Sequence, residues 1–138
     1  MEIKDILLHR DPFLFVDEIL KADKEKIVGK YTYKESEFFF KGHFPNHPVV
    51  PGVLQIELMA QVGGAGLAYA NLLKPGQLFV LGSVEKSKFR KEVKPNDTCI
   101  VEVENLRISN MGIKQKGCVK VNNEIVSQAT WLCLLVKE

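Results

Sequence analysis

The chain has 138 residues, of which 46% are hydrophobic and 26% are charged, and its formal net charge is +2 at pH 7. The length predicts a single domain spanning residues 1–138. The composition excludes a disordered or low-complexity chain. The small positive charge argues against nucleic acid as a partner. Three widely spaced cysteines and the absence of a signal-peptide core or a long apolar run predict a cytoplasmic protein without a membrane span.

The first part of the chain predicts a short helix and two strands ahead of an ordered loop. Apolar residues recur at helical spacing over residues 2–9, and residues 13–20 and 26–33 have the composition of strands. Residues 36–51 show no clear period and contain three prolines. Proline fixes φ and restricts the residue before it, so this segment is predicted to be a rigid loop.

Residues 53–73 give the strongest single signal, a helix of sequence VLQIELMAQVGGAGLAYANLL that Pro75 is expected to end. This helix is apolar on almost every side and must therefore be enclosed. Gly63, Gly64 and Gly66 would each cost about 1 kcal/mol relative to alanine unless another element packs closely there. A sheet wrapped around the helix would supply that close packing.

The rest of the chain predicts four strands at residues 78–90, 97–109, 112–121 and 124–137. The turns between them are short, which favours antiparallel neighbours. The predicted fold class is therefore α+β, with a long antiparallel sheet curled around one buried helix.

Four residues near the start of the long helix carry the chemistry: His43, Gly52, Glu57 and Gln61. His43 lies in the rigid loop, and Gly52 stands where backbone N–H groups have no partner and the helix dipole is positive. Glu57 lies one turn into an otherwise apolar helix. Gln61, four residues later, lies on the same face and can hydrogen-bond that carboxyl group.

Each of these residues also has a structural interpretation. Glu57 could form a buried ion pair with an arginine, His43 could be a satisfied structural histidine, and Gly52 could be a turn glycine. The spacing of His43 and His47 would suit zinc on a helix, but the prolines exclude that helix and no third ligand is evident. No metal or cofactor is therefore expected.

A functional interpretation unites the four residues. A histidine can act as a general base at neutral pH. A carboxylic acid in an apolar pocket has a raised pKa and can donate a proton. The N–H groups of a helix N-terminus can stabilise a carbonyl oxygen that gains negative charge. This combination suits elimination of water from a 3-hydroxyacyl thioester.

The run GHFPNHPVVPGVLQIELMAQ (42–61) resembles the signature of the bacterial (3R)-hydroxyacyl-acyl-carrier-protein dehydratases of the FabZ type. The segments LHRDPFLFVDEI (8–19) and KSKFRKEVKPND (86–97) add to the similarity. The resemblance implies a hot-dog fold, homodimers that assemble as trimers of dimers, and formation of a trans-2-enoyl thioester in fatty-acid synthesis. It implies acyl carrier protein as the partner.

The resemblance also implies individual roles. His43 matches the catalytic histidine, and Glu57 matches the acid, which this family contributes across the dimer interface. Gly52 matches the amide that binds the thioester carbonyl, and Gln61 matches the residue that orients Glu57. Glutamate at the acid position is typical of the dehydratase-only branch and disfavours isomerase activity.

The acyl chain and its carrier need surfaces of their own. Phe44, Val53 and Phe79 are candidate walls of an acyl tunnel, although each could equally belong to the core. Candidate residues for docking an acidic carrier protein form a basic stretch: Lys86, Lys88, Arg90 and Lys91. An ordinary solvated strand face would have the same composition.

Two other functions fit the same pattern less well. A hot-dog thioesterase could use the helix and its carboxylate to activate water. A non-catalytic acyl-binding module would need the tunnel alone, and the joint presence of His43, Gly52 and Glu57 argues against it.

Overall fold

The computed structural model describes residues 2–137. In chain order the helices and strands are α1 (Ile3–Ile6), β1 (Glu18–Ala22), β2 (Lys26–Thr32), a 3-10 turn (Phe38–Lys41), α2 (Gly52–Tyr69), β3 (Phe79–Phe89), β4 (Thr98–Ile108), β5 (Gly112–Val121) and β6 (Glu124–Leu135). Among these residues no helix is both long and apolar enough to cross a membrane.

The six strands form one antiparallel sheet in the order β1-β2-β4-β5-β6-β3. Helix α2 contacts all six strands. The sheet therefore wraps around the helix, which confirms the predicted α+β architecture. It also makes β3 an edge strand whose one neighbour among the described residues is β6.

Helix α2 begins one residue before the predicted start and ends four residues before the predicted end. The chain leaves the helix at Asn71, whose φ of 62° is left-handed. The N–H of Asn71 donates to the carbonyl of Ala68, and the N–H of Leu72 donates to the carbonyl of Leu67. This pair of bonds is the Schellman arrangement. The prediction that the helix continues to residue 73 was wrong because an asparagine cap ends it ahead of Pro75.

The sheet packs against α2 so closely that there is no room for side chains at its glycines. A Cβ atom at Gly66 would lie 2.3 Å from Cγ2 of Ile27, and one at Gly64 would lie 2.3 Å from Cζ of Phe79. A Cβ atom at Gly63 would lie 2.2 Å from Oε1 of Gln115. The predicted reason for three glycines in a helix, close approach of a sheet, is thus confirmed.

Replacing Gly66 by alanine is expected to destabilise the protein although alanine favours helices. The gain in helix propensity is about 1 kcal/mol. The overpacking against Ile27, which is fully buried, costs about 1–3 kcal/mol and more than cancels that gain. Urea unfolding measures the difference. Gly42→Ala is the control, since a Cβ atom there meets nothing within 4 Å. Stability of G66A equal to or above that of the parent would contradict the packing argument.

The N-terminal segment differs most from its prediction. The helix predicted over residues 2–9 is reduced to α1. The strand predicted over residues 13–20 begins only at Glu18. The backbone at Phe13 and Phe15 is hydrogen-bonded to the side chain of Gln61 on α2 instead of to a neighbouring strand. A buried side chain has therefore taken the place of a sheet partner.

Candidate active site

Glu57 projects from α2 one turn and a half from its start and is partly open to solvent. Its side chain is 22% exposed. The side chain of Gln61, on the next turn, donates from Nε2 to Oε2 of Glu57 at 2.8 Å. The helical spacing of four residues thus brings these two predicted site residues together.

Gln61 also fixes the N-terminal segment to the helix. It is fully buried. Its Oε1 accepts the N–H of Phe15 at 2.8 Å, and its Nε2 also donates to the carbonyl of Phe13 at 3.0 Å. Because three bonds hold the amide group, its orientation toward Glu57 is set by the fold.

His9 is the second polar partner of Glu57 and was missed by the sequence analysis. Its Nε2 lies 3.5 Å from Oε2 of Glu57. The two residues are 48 positions apart, so no local spacing links them. The sequence signal was the polar pair His9-Arg10 between apolar residues, inside a segment that contributed to the family resemblance without a role of its own.

The pKa of Glu57 lies below its ordinary value, contrary to the expectation of a raised one. Burial is the largest single influence and raises the pKa. The hydrogen bonds from His9 and Gln61, together with the charge of His9, lower it by more. Within one chain, Glu57 is therefore a carboxylate paired with a histidine. The alternative of a buried Glu–Arg pair is also wrong, because the partner is His9.

His43 is held in the loop before α2 without touching Glu57. Its Nδ1 lies 3.0 Å from the carbonyl oxygen of Val49, and its ring stacks on Phe44 with centroids 4.2 Å apart. Among residues 2–137 the polar contacts of Glu57 are His9 and Gln61 alone. A single chain thus brings Gln61 to Glu57 but does not bring His43 into contact with it.

His47 is turned toward a different partner from His43. Its Nε2 lies 2.5 Å from Oε2 of Glu92, and its side chain is mostly exposed. Nδ1 of His43 is engaged by Val49. No group of three metal-ligating side chains occurs within the described range.

Gly52 is the first residue of α2, and its N–H has no acceptor within the helix. A Cβ atom there would lie 2.9 Å from Cε1 of Phe89. Glycine at this position therefore allows the ring of Phe89 to pack directly against the start of the helix.

A family model described as a FabA-like domain matches residues 7–130 of the chain. A 3-hydroxyacyl-[acyl-carrier-protein] dehydratase FabZ of Xanthomonas euvesicatoria is 44% identical, covering 96% of this chain and 89% of the relative. The protein of the same name from Pectobacterium atrosepticum is 38% identical, covering 99% and 92%. This chain belongs to the FabA-like family. Both of these relatives are named as FabZ dehydratases.

Solved structures of similar fold include both dehydratases and thioesterases. The dehydratase heterocomplex ApeI:P of Xenorhabdus doucetiae has a TM-score of 0.84 at 12% identity, covering 100% of this chain and 93% of that one. A hypothetical thioesterase with coenzyme A from Streptococcus pneumoniae has a TM-score of 0.62 at 15% identity, covering 88% and 86%. At these identities the likeness concerns the fold, and this FabA-like chain has the hot-dog architecture.

The candidate tunnel residues of this FabA-like chain fall into two groups. Phe79 is buried, and its ring lies beside Gly64 and 5.6 Å from the ring of His9. Phe44 is 51% exposed and Val53 is 73% exposed. Within one chain, Phe79 therefore borders the site while Phe44 and Val53 face outward.

Three of the candidate docking residues lie around Gln128 of β6. Lys88 is opposite Gln128 in the strand register, and Arg90 donates to its Oε1 at 3.2 Å. Lys86 sits in a bulge with φ of 53° and lines a groove that Gln128 also lines. Lys91 differs, because it is paired with Glu124. The bulge interrupts the regular alternation of side chains along β3, so the basic residues of this stretch do not simply share one face of the strand.

Proposed function

We propose that this protein dehydrates (3R)-3-hydroxyacyl-acyl-carrier-protein to the trans-2-enoyl thioester in bacterial type II fatty-acid synthesis. The observation that carries the proposal is Glu57, an ionisable group that an otherwise apolar helix exposes beside two partners. The FabZ relatives, which match nearly the whole chain, support the same reaction.

In the proposed mechanism His43 acts as the general base. The bond from its Nδ1 to the carbonyl of Val49 leaves Nε2 free to accept a proton. His43 removes the proton next to the thioester carbonyl. The N–H of Gly52, at the positive end of α2, donates to the carbonyl oxygen as negative charge develops there.

Glu57 is the proposed acid that protonates the departing hydroxyl group. It must hold a proton at that moment, whereas in the resting single chain its pKa is lowered. Gln61 orients the carboxyl group. When substrate displaces water from the site, the charged carboxylate loses solvation, and the protonated form of Glu57 is then favoured.

We propose that the working unit is a homodimer, built up further into a trimer of dimers. Strand β3 is exposed along almost its whole length, and one of its edges has no partner within residues 2–137. Its exposed apolar side chains are Val80, Leu81, Val84 and Phe89. A second copy pairing there would cover them and would bring a partner's loop toward Glu57.

The same partner would complete the acyl tunnel. Phe44 and Val53 are large apolar side chains left open in one chain. A second copy could cover them, while Phe79 supplies a wall from within the chain. We propose that the acyl chain lies in the slot so formed.

One assay tests the reaction directly. The protein is incubated with (3R)-3-hydroxyacyl thioesters of several chain lengths, and the enoyl product and free thiol are both measured. Enoyl product without free thiol supports the dehydratase. Free thiol without enoyl product would establish a thioesterase, and tight binding without turnover would establish a binding module.

We propose that Lys86, Lys88 and Arg90 dock the acidic carrier protein. Replacing all three by glutamine is expected to raise KM for carrier-linked substrate about tenfold at low salt, since complementary charge speeds encounter. The effect should shrink as salt is added. KM for a pantetheine thioester, which lacks the carrier, should not change.

Lys74→Gln is the matched control for the docking triple variant. Lys74 is an exposed lysine that lies before the start of β3, whereas the basic stretch is at the end of that strand. If the triple variant and K74Q have the same KM for carrier-linked substrate, the proposed docking surface is refuted.

A further inference from the structure

We propose that Phe89 is a positioning residue that fixes the peptide group of Gly52, whose N–H is the proposed donor to the thioester carbonyl. In this proposal Phe89 acts through Gly52 and takes no part in the chemistry itself. It does so by filling the space beside the first residue of α2. This inference rests on the proposed dehydratase function and adds a residue to it.

The ring of Phe89 stands where any residue other than glycine would place its Cβ atom at position 52. That Cβ atom would lie 2.9 Å from Cε1, 3.0 Å from Cζ and 3.1 Å from Cδ1 of Phe89. Three consecutive carbons of the ring therefore pack against the backbone of Gly52. Glycine has the most freedom of any residue in its backbone dihedral angles, so this contact restricts a residue that would otherwise be mobile.

The peptide group between Pro51 and Gly52 is held at its other end by the first turn of α2. The carbonyl oxygen of Pro51 accepts the N–H groups of Leu54 and Gln55 at 3.0 and 3.2 Å. Because a peptide group is planar and trans, the N–H of Gly52 points away from that carbonyl oxygen. Hydrogen bonds thus fix one end of the plane and the Phe89 ring fixes the other. The direction of the N–H is therefore set before a substrate binds.

A β-bulge turns the side chain of Phe89 toward α2. Val84 lies opposite the buried Trp131, and regular alternation from Val84 would place residue 89 on the outer face of the sheet. Residues 86–87 together stand opposite a single residue of β6, which adds one residue to the count. Phe89 consequently lies opposite Ser127, which is fully buried, and faces the inner side of the sheet.

The bulge is held in a strained backbone conformation. Lys86 has a φ of 53°, in the left-handed region that residues other than glycine rarely adopt. Beyond the bulge the chain is bonded to β6 again, since the N–H groups of Arg90 and Lys91 both donate to the carbonyl of Val126. Bulges near active sites commonly redirect a side chain, and strain held by the surrounding structure is typical of functional sites. The side chain redirected here is that of Phe89.

The fixed direction of the Gly52 N–H bears on the rate of the proposed reaction. A donor that is already aimed needs no reorganisation when negative charge develops on the carbonyl oxygen. A leucine at position 89 would leave part of the space beside Gly52 empty, so the N–H could turn away from that oxygen. The charge appears only in the transition state, so the loss should fall on kcat more than on substrate binding.

Phe89→Leu tests the proposal with a pantetheine thioester as substrate, so that carrier docking has no influence. We expect kcat to fall about tenfold, with a change in KM of less than about twofold. A saturated acyl-pantetheine with a ¹³C-labelled carbonyl gives a second readout, because its infrared stretching band moves to lower frequency when the oxygen accepts a hydrogen bond. In F89L the band of the bound ligand should return toward that of the free ligand. A purely structural role would lower stability without moving this band.

Phe38→Leu is the matched control, because Phe38 is a phenylalanine of similar exposure, at 52% against 48%, on the 3-10 turn. Its kcat and carbonyl band should equal those of the parent. Sedimentation checks that each variant keeps the oligomeric state of the parent. Parental kcat and band in F89L would overturn the proposal, and so would equal losses in F89L and F38L.

Gly52→Ala covers the case in which F89L fails to fold or to assemble. Alanine keeps the N–H at position 52, but its Cβ atom meets the ring of Phe89. The peptide group should tilt, so kcat should fall and the band should move to higher frequency although residue 89 is unchanged. Parental kcat and band in G52A would mean that the ring gives way freely, which contradicts the proposal. A parent that forms no enoyl product would instead overturn the proposed function, while the carbonyl band, which needs no turnover, still tests Phe89.

Discussion

Replacing His43 by alanine is expected to lower kcat for dehydration by about 10²–10⁴-fold, the contribution of a positioned general base. Glu57→Gln should lower kcat by a similar factor, because glutamine keeps the bond to Gln61 but has no proton of comparable acidity to donate. Both rates are measured as enoyl product formed from a (3R)-3-hydroxyacyl thioester. Thermal unfolding of each variant confirms that the fold is retained.

Mixing the His43→Ala and Glu57→Gln variants tests whether one active site uses residues from two chains. If His43 and Glu57 meet across a two-fold interface, a mixed dimer has one intact site and one doubly altered site. Random exchange at equal amounts should then restore about a quarter of the parental activity. Folded single variants with full activity would refute the roles, and no restoration in verified mixed dimers would refute the shared site.

Gln61→Leu is expected to cause the largest loss of stability among the substitutions at the site. Leucine fills much of the same volume but leaves the N–H of Phe15 and the carbonyl of Phe13 without their partner. Each buried group left unsatisfied costs about 1–3 kcal/mol, so the free energy of unfolding should fall by about 2–5 kcal/mol. Urea denaturation measures this change.

The Gln61→Leu variant should also have a lower kcat, in addition to its lower stability. Without the amide of Gln61, Glu57 loses its 2.8 Å bond and its fixed orientation. Misplacement of a reacting group lowers kcat by about 10- to 100-fold, measured at a temperature where the variant is folded. Gln77→Leu is the control, because Gln77 likewise bonds two carbonyls, those of Leu78 and Val136, away from the site. Equal losses of kcat in both variants would show that Gln61 has no specific effect on Glu57.

The parts of the fold that depend on periodicity could be predicted from the sequence. The four later strands lie within two residues of their predicted bounds because alternation and short turns specify them. The glycines of α2 indicated a close neighbour, and Ile27 and Phe79 are among the residues that approach them. The end of α2 was missed because Asn71 adopts a left-handed conformation that composition alone does not specify.

The N-terminal segment could not be predicted because its backbone partner is a side chain distant in sequence. Residues 13–17 have the composition of a strand, but Gln61 binds two of their backbone groups. His9 was missed for the same reason, since its partner Glu57 is brought near only by the fold. The motif identified Glu57 and Gln61. The direction in which the pKa of Glu57 is shifted could not be predicted without knowing that His9 lies beside it.

In the proposed dehydratase, the close packing of α2 on its own sheet at three glycines limits where longer or shorter acyl chains could be accommodated. At Gly63, Gly64 and Gly66 even one methyl group would overlap a neighbour, so no methylene of a substrate fits on that side. The residues that determine the accepted acyl-chain length must then lie on the outward face of α2, where Val53 is exposed. In the proposed homodimer, selection for a new acyl-chain length should therefore alter the interface between the two copies and leave the packing within each copy intact.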